Sequence, residues 1–249
     1  MEDEQIATKP HIPKLIGKGR LQTKPRQLAY NLPQIAALLE ASWRLPQRHH
    51  LHMFIIAMLS SHARVESVLE CNIDLQYADG VMDWLGCKEQ TKKRRSIVPV
   101  APTFANWLEG RSGKLIRYRV EIAQQRWKDP AIPEYHERET ASVKRALEHA
   151  LVDAGAAHPS LKLRTPVLDA KGVQLTSTKF HFECGRKVGI DYPVWAGVGS
   201  SNTLRHSAHT QLRRIGVPKG QIDAAAGHAE QGTGENYNHF DAHHDLKDF

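Results

Sequence analysis

Four short patches of this chain hold side chains suited to one demanding reaction: breaking and remaking a phosphodiester without metal or water. They are Ser61-His62-Ala63-Arg64-Val65-Glu66, Glu89-Gln90-Thr91-Lys92-Lys93-Arg94-Arg95, Asn202-Thr203-Leu204-Arg205-His206-Ser207, and Gly227-His228 followed nine residues later by Tyr237. A tyrosine oxygen that attacks phosphorus forms a covalent link that conserves the bond energy for rejoining. A phenol ordinarily ionises near pH ~10, so positive charge or a base must assist it. The pentacovalent phosphorus species gains negative charge on its non-bridging oxygens. Guanidinium groups match that geometry with paired hydrogen bonds, which an ammonium cannot do. The departing 5′ oxygen needs a proton, and a lysine on a turn can deliver it. A histidine can hydrogen-bond the phosphate or share in proton transfer. Between them the four patches offer one group for each task.

Taken singly, these residues have ordinary structural roles. Arg64 can pair with Glu66 or Asp74, and a Lys-Arg run such as 92–95 is usually a solvated turn. Arg205 and His206 can sit on the exposed face of an amphipathic helix, and a tyrosine near a C-terminus usually packs in a core or at its rim. The informative feature is their order: Arg, turn lysine, Arg, Gly-His and Tyr, with strand-like sequence on both sides of the lysine.

That order resembles the C-terminal signature of the tyrosine recombinases, in particular the phage-type integrases of proteobacteria. The family pattern is Arg-His, a helix, Gly-Val-Pro, a second helix, Gly-His, then Tyr. Here it runs from Arg205-His206 through Gly216-Val217-Pro218 to Gly227-His228 and Tyr237-Asn238-His239-Phe240. The resemblance extends to Ala63-Arg64-Val65-Glu66 and to Gln90-Thr91-Lys92 with Val98-Pro99-Val100, and covers about residues 32–240, poorly across 111–190. It implies an α+β, mainly α-helical catalytic domain with a small three-stranded antiparallel sheet. It makes Arg64 and Arg205 the phosphate-clamping arginines, Lys92 (or Lys93, one step away) the general acid, His228 a supporting histidine and Tyr237 the nucleophile. Three residues before the second arginine the family usually has His or Lys. This chain has Asn202, which can hydrogen-bond phosphate but carries no proton at neutral pH. His206, four residues on and on the same helical face, can assist it.

The same resemblance implies double-stranded DNA attachment sites as partners, with a tetramer on DNA and a monomer without it. Lys93, Arg94, Arg95, His206, Arg213, Arg214 and Lys219 are then expected to contact DNA. Recombinases of this type usually carry an N-terminal helical clamp domain and a C-terminal docking segment. About thirty residues precede the first helix here and twelve follow Tyr237, so the expectation is the catalytic half, with a short docking element or none. Two rival readings remain open. The helices over 202–215 and 218–226, joined at Gly216, also have the look of a helix-turn-helix, although the second is poor in base-reading groups. A decayed integrase that binds but no longer cuts is the other.

The elements that must position these groups are legible in part. Residues 1–30 read as a basic arm or linker, partly disordered, and 31–249 as the catalytic domain. Asn31 is a plausible N-cap with Pro33 in the first turn, and Ile35, Leu38, Leu39 and Trp43 recur at helical spacing. The segment 48–61, apolar nearly all round, predicts a central core helix, and a short helix follows over 65–71. Residues 73–76, 81–85 and 97–100 predict three antiparallel strands, the first two joined at Ala78-Asp79-Gly80. Further on we predict a helix over 103–110, a strand at 116–122 and a helix over 139–154 stopped by Gly155. We expect loop at 156–175, a helix over 176–188 ended by Gly189, a connection over 190–201, and a last short helix carrying Tyr237.

Bulk properties agree with this picture. The chain of 249 residues carries a formal net charge of +7, a surplus that favours a polyanionic partner. Its three cysteines, Cys71, Cys87 and Cys184, are scattered and show no C-x-x-C spacing, which points to reduced thiols rather than a disulfide framework. Fifteen histidines show no H-E-x-x-H or paired His/Cys spacing, so no metal or other cofactor is expected. No run approaches the length of a membrane span, and the acidic start lacks a signal peptide's apolar core. A cytoplasmic, bacterial or phage-encoded protein without a membrane partner is the expectation.

Overall fold

A computed structural model of the chain describes residues 29–89, 95–121, 135–183, 186–197 and 199–227. The first helix, α1 (Leu32–Trp43), starts at a reciprocal cap. Asn31 Oδ1 accepts the Gln34 backbone N–H at 2.9 Å, and Gln34 Oε1 accepts the Asn31 backbone N–H at 2.9 Å. Tyr30, inside the expected arm, is already fully buried, and its N–H donates to Ser207 Oγ at 2.7 Å. The packed body therefore begins no later than Tyr30.

Helix α2 (His49–Ser61) is the central helix its apolar sequence predicts. Leu51, Met53, Phe54, Ile55, Ala57 and Met58 are all buried, and α2 packs against α1, α3 (Val65–Glu70), α5 (Pro102–Leu108) and α7 (Ser201–Arg214). On the other side of α1 lies α6 (Lys144–Ala157), whose Leu147, Ala150, Leu151 and Ala154 form its buried stripe. One cluster of buried side chains runs from Tyr30 to Ala225 and takes in all these helices.

The three-stranded antiparallel sheet is present, in the order β1 (Tyr77–Ala78), β2 (Val81–Asp83), β3 (Ile97–Pro99). Its first strand is shorter and later than the sequence suggests, because residues 73–76 form a helical turn, α4 (Ile73–Gln76), begun by Asn72 Oδ1 accepting the Asp74 N–H. A second antiparallel pair joins β4 (Arg117–Glu121) to β5 (Tyr135–Glu139). The helix expected from 139 therefore starts five residues later, at Lys144.

Gly155 does not stop that helix. It lies inside α6, where a Cβ would come within 2.8 Å of the Arg164 carbonyl oxygen, so its value is close approach to β6 (Arg164–Pro166). The expected loop over 156–175 thus contains a strand, which pairs with β9 (Trp195–Gly197). The largest departure is at 176–188. This segment is not a helix but β7 (Thr176–Glu183), paired in antiparallel register with β8 (Arg186–Pro193) over eight residue pairs from Thr176↔Pro193 to Glu183↔Arg186. Thr, Phe and Val fit a pleated ribbon better than a helix. Phe180, Ile190 and Tyr192 are exposed on it.

Helix α7 ends as predicted: Gly216 takes φ +91°, and the N–H groups of Gly216 and Val217 return to the carbonyls of Arg213 and Leu212. The final described helix is α8 (Lys219–Ala225), opened by Pro218. No described helix is long and apolar enough to cross a membrane.

Candidate active site

Among the described residues, Arg205 is the most buried of the expected site residues. It lies on the first turns of α7, only 9% exposed, between the end of α2 and the end of α8. Its Nη1 donates to the His62 carbonyl oxygen at 2.5 Å, and its Nη2 donates to the Ala226 carbonyl oxygen at 2.6 Å. Two carbonyls from elements far apart in sequence thus hold the guanidinium plane fixed. Burial, with the charge of Arg64 nearby, brings its pKa down to about 10. It remains charged at neutral pH.

Local backbone explains why those carbonyls are available. His62 closes α2 in the left-handed conformation, at φ +54° and ψ 13°, which turns the chain sharply into Ala63 and Arg64. Arg64 then occupies the N-cap position of α3 in extended conformation. At the other end Ala226 and Gly227 close α8, with Gly227 at φ +64°. Gly227 directly precedes His228 in sequence.

Three arginines share one electrostatic neighbourhood. Partial burial lowers the pKa of Arg64, and the charge of Arg95 lowers it further. Arg64 in turn acts on Arg205. Placing cations together is unfavourable by itself; it suits a site whose occupant is a dense anion. Arg95, just before β3, donates from Nη2 to Glu70 Oε2 at 2.9 Å. Its neighbour Ser96 donates from Oγ to the Ala225 carbonyl at 2.6 Å. The sheet is therefore tied to the same end of α8 that holds Arg205.

His62 and His209 complete the surroundings. Their rings meet edge to face, with centroids 5.6 Å apart. Burial and the adjacent Arg205 charge push the His62 pKa down to about 4, so the ring is neutral at pH 7. Neither histidine, nor Glu70, stands out in the sequence. His62 acts through its backbone carbonyl, which no side-chain type advertises.

The remaining expected residues divide clearly. Asn202 and His206 are both exposed on α7, one turn apart, as helical spacing requires. Arg213 and Arg214 are exposed in the last turn of α7. Lys219, on α8, lies 3.6 Å from Asp223 and is 65% exposed. Lys92, Lys93, Arg94, His228 and Tyr237 lie outside the described residues. Among the described residues no group of three or more His, Cys, Asp or Glu is placed to hold a metal ion.

No family model matches the sequence, and no curated protein matches it. Among solved structures, the chain is similar to the crystal structure of XerA recombinase, with 15% identity and a TM-score of 0.44 over 85% of this chain. The matched region spans 60% of that chain's length.

Proposed function

We propose that this chain is the catalytic part of a site-specific DNA recombinase that cuts and rejoins DNA through a 3′-phosphotyrosyl intermediate. The observation that carries the reading is the buried Arg205 guanidinium fixed by the His62 and Ala226 carbonyls, with Arg64 near enough for its charge to act on it. A buried, oriented guanidinium beside a second one suits the non-bridging oxygens of a phosphodiester. In this reading the Tyr237 hydroxyl gives its proton to His228, its oxygen attacks phosphorus and the bond to the 5′ oxygen breaks. Lys92, or its neighbour Lys93, gives the leaving oxygen its proton. Arg64 and Arg205 hold the charge that develops. His228 and Asn202 hydrogen-bond the phosphate, with His206 in support. Rejoining is the same path reversed, with a 5′ hydroxyl as nucleophile.

The partner is double-stranded DNA, on which four copies assemble, whereas the free protein is a monomer. Lys93, Arg94, Arg213, Arg214 and Lys219 contact the DNA backbone around the reacting phosphate.

The test is covalent capture. Duplexes recovered by selecting bound sequences from a random pool are nicked beside the cleavage point, so that the released strand diffuses away. Incubation should give a protein–DNA adduct that survives denaturant and is lost in Tyr237→Phe. An adduct that persists in Tyr237→Phe removes Tyr237 from its role. Bound duplexes with no adduct would instead support a DNA-binding protein without cleavage, the outcome that Asn202 in place of a proton-carrying group makes worth testing.

A further inference from the structure

One carboxylate stands at a junction that the roles assigned above leave unused. Glu70 is the last residue of α3, the helix that Arg64 begins. Its Oε2 accepts Lys88 Nζ at 2.6 Å and Arg95 Nη2 at 2.9 Å. Those two cations come from opposite ends of the β2–β3 connection, 18 and 25 residues along the chain from Glu70. A third cation binds the same residue from another direction, Lys114 Nζ donating to the Glu70 backbone oxygen at 2.8 Å. The paired cations hold the Glu70 carboxyl below its usual range, with Lys88 the larger cause.

We propose that Glu70 is a positioning residue: by binding both ends of the β2–β3 connection to the helix that carries Arg64, it sets where the groups of that connection meet the phosphate. This rests on the recombinase reading, in which the connection supplies the general-acid lysine. A single exposed ion pair contributes little to stability. Two cations converging on one oxygen from both ends of a connection are a different matter, because together they restrict how its ends move relative to Arg64. Arg95 carries the restraint further. Ser96, next to it, bonds the Ala225 carbonyl, and the adjacent Ala226 carbonyl bonds Arg205. Removing the Glu70 charge also leaves the Arg95 cation, which acts on Arg64, with less negative charge beside it.

The step affected is leaving-group protonation. As the Tyr237 oxygen, its proton passed to His228, bonds to phosphorus, the phosphorus–O5′ bond breaks, its electron pair stays on O5′, and the lysine proton goes to that oxygen. Replacing the bridging O5′ with sulfur makes a leaving group that departs as a thiolate and needs no proton. The experiment compares adduct formation by the full chain on matched nicked duplexes carrying either atom. Glu70→Gln keeps the side-chain shape and should slow adduct formation about ten- to a hundredfold on the oxygen substrate. On the sulfur substrate it should react close to the rate of the unsubstituted protein, as Lys92→Ala should. Lys88→Ala, at an exposed position, should show the same oxygen-over-sulfur contrast more weakly, and it serves if Glu70→Gln does not fold. Equal slowing on both substrates, or none on either, overturns the positioning role. If the unsubstituted protein forms no adduct with either duplex, the recombinase reading itself fails, which is a separate result.

Discussion

Arg64 and Arg205 have the same expected task but sit in unlike surroundings. Arg205 is buried, and both ends of its guanidinium are committed to backbone carbonyls that close two helices. Arg64 lies at a helix start and is only half-buried. Truncating Arg205 therefore removes a structural tie as well as a cation. A charged donor contributes more than a neutral one, and a buried carbonyl left without its donor is costly. We expect Arg205→Ala to lose adduct formation and also about 1–3 kcal/mol of folding stability. Arg64→Ala should lose adduct formation with a clearly smaller shift in the urea midpoint. Arg205→Lys should behave as Arg205→Ala in the cleavage assay, because one ammonium cannot serve two divergent carbonyls and a phosphate together. Equal midpoints for Arg64→Ala and Arg205→Ala would contradict the structural share assigned to Arg205.

At the scale of elements, the junction between α2 and α3 holds Arg205 through the His62 carbonyl, and it makes stability depend on pH. His62 is neutral when folded, with a pKa of about 4 against 6.5 for the free side chain. Below pH 6.5 the unfolded chain takes up a proton that the folded chain refuses until about pH 4. Stability from this group is thus complete above 6.5 and falls as the pH drops through that window. Between pH 7 and pH 5 the expected loss is about 2 kcal/mol. Burial shifts His50 and His52 in the same direction, adding to it. Asparagine tolerates the left-handed conformation and does not titrate in this range, so His62→Asn should flatten the dependence. Urea melts of both proteins at the two pH values decide this; an identical slope refutes it. Much of this junction was legible in the sequence: α2 from its apolar run, α3 from its spacing, Arg64 from its place between them. The left-handed turn at His62 was not, since nothing in its residue type demands it. The β7–β8 ribbon was misread for a related reason. Phe180, Ile190 and Tyr192 are exposed on it, so its large apolar groups do not mark a buried face whose period could be read. Gly155 was misread because a helix-ending glycine and a glycine that admits a neighbouring strand look alike until the strand is known. Helices with a deep buried stripe, by contrast, appeared nearly where their patterns put them.

For the whole molecule the question is where the +7 charge is spent. The arginines of the site gather at the start of α7, while Arg213 and Arg214 lie exposed at its far end, roughly 12 Å away at 1.5 Å per residue. Helix α7 therefore carries the proposed phosphate clamp at one end and exposed positive charge at the other. A DNA duplex lying along it would meet both. Neutralising backbone phosphates releases condensed counterions, so binding should weaken steeply with salt, by about 0.9 in log–log slope per phosphate contacted. The Arg213→Ala, Arg214→Ala double variant should weaken binding to all sequences alike and make the slope shallower by about 2. Adduct formation measured with DNA in excess should fall much less than affinity does, because neither residue is near Arg64 or Arg205. Affinities measured across a salt series, paired with the adduct rate at saturation, separate the two contributions. A slope unchanged in the double variant would mean that the duplex does not follow α7.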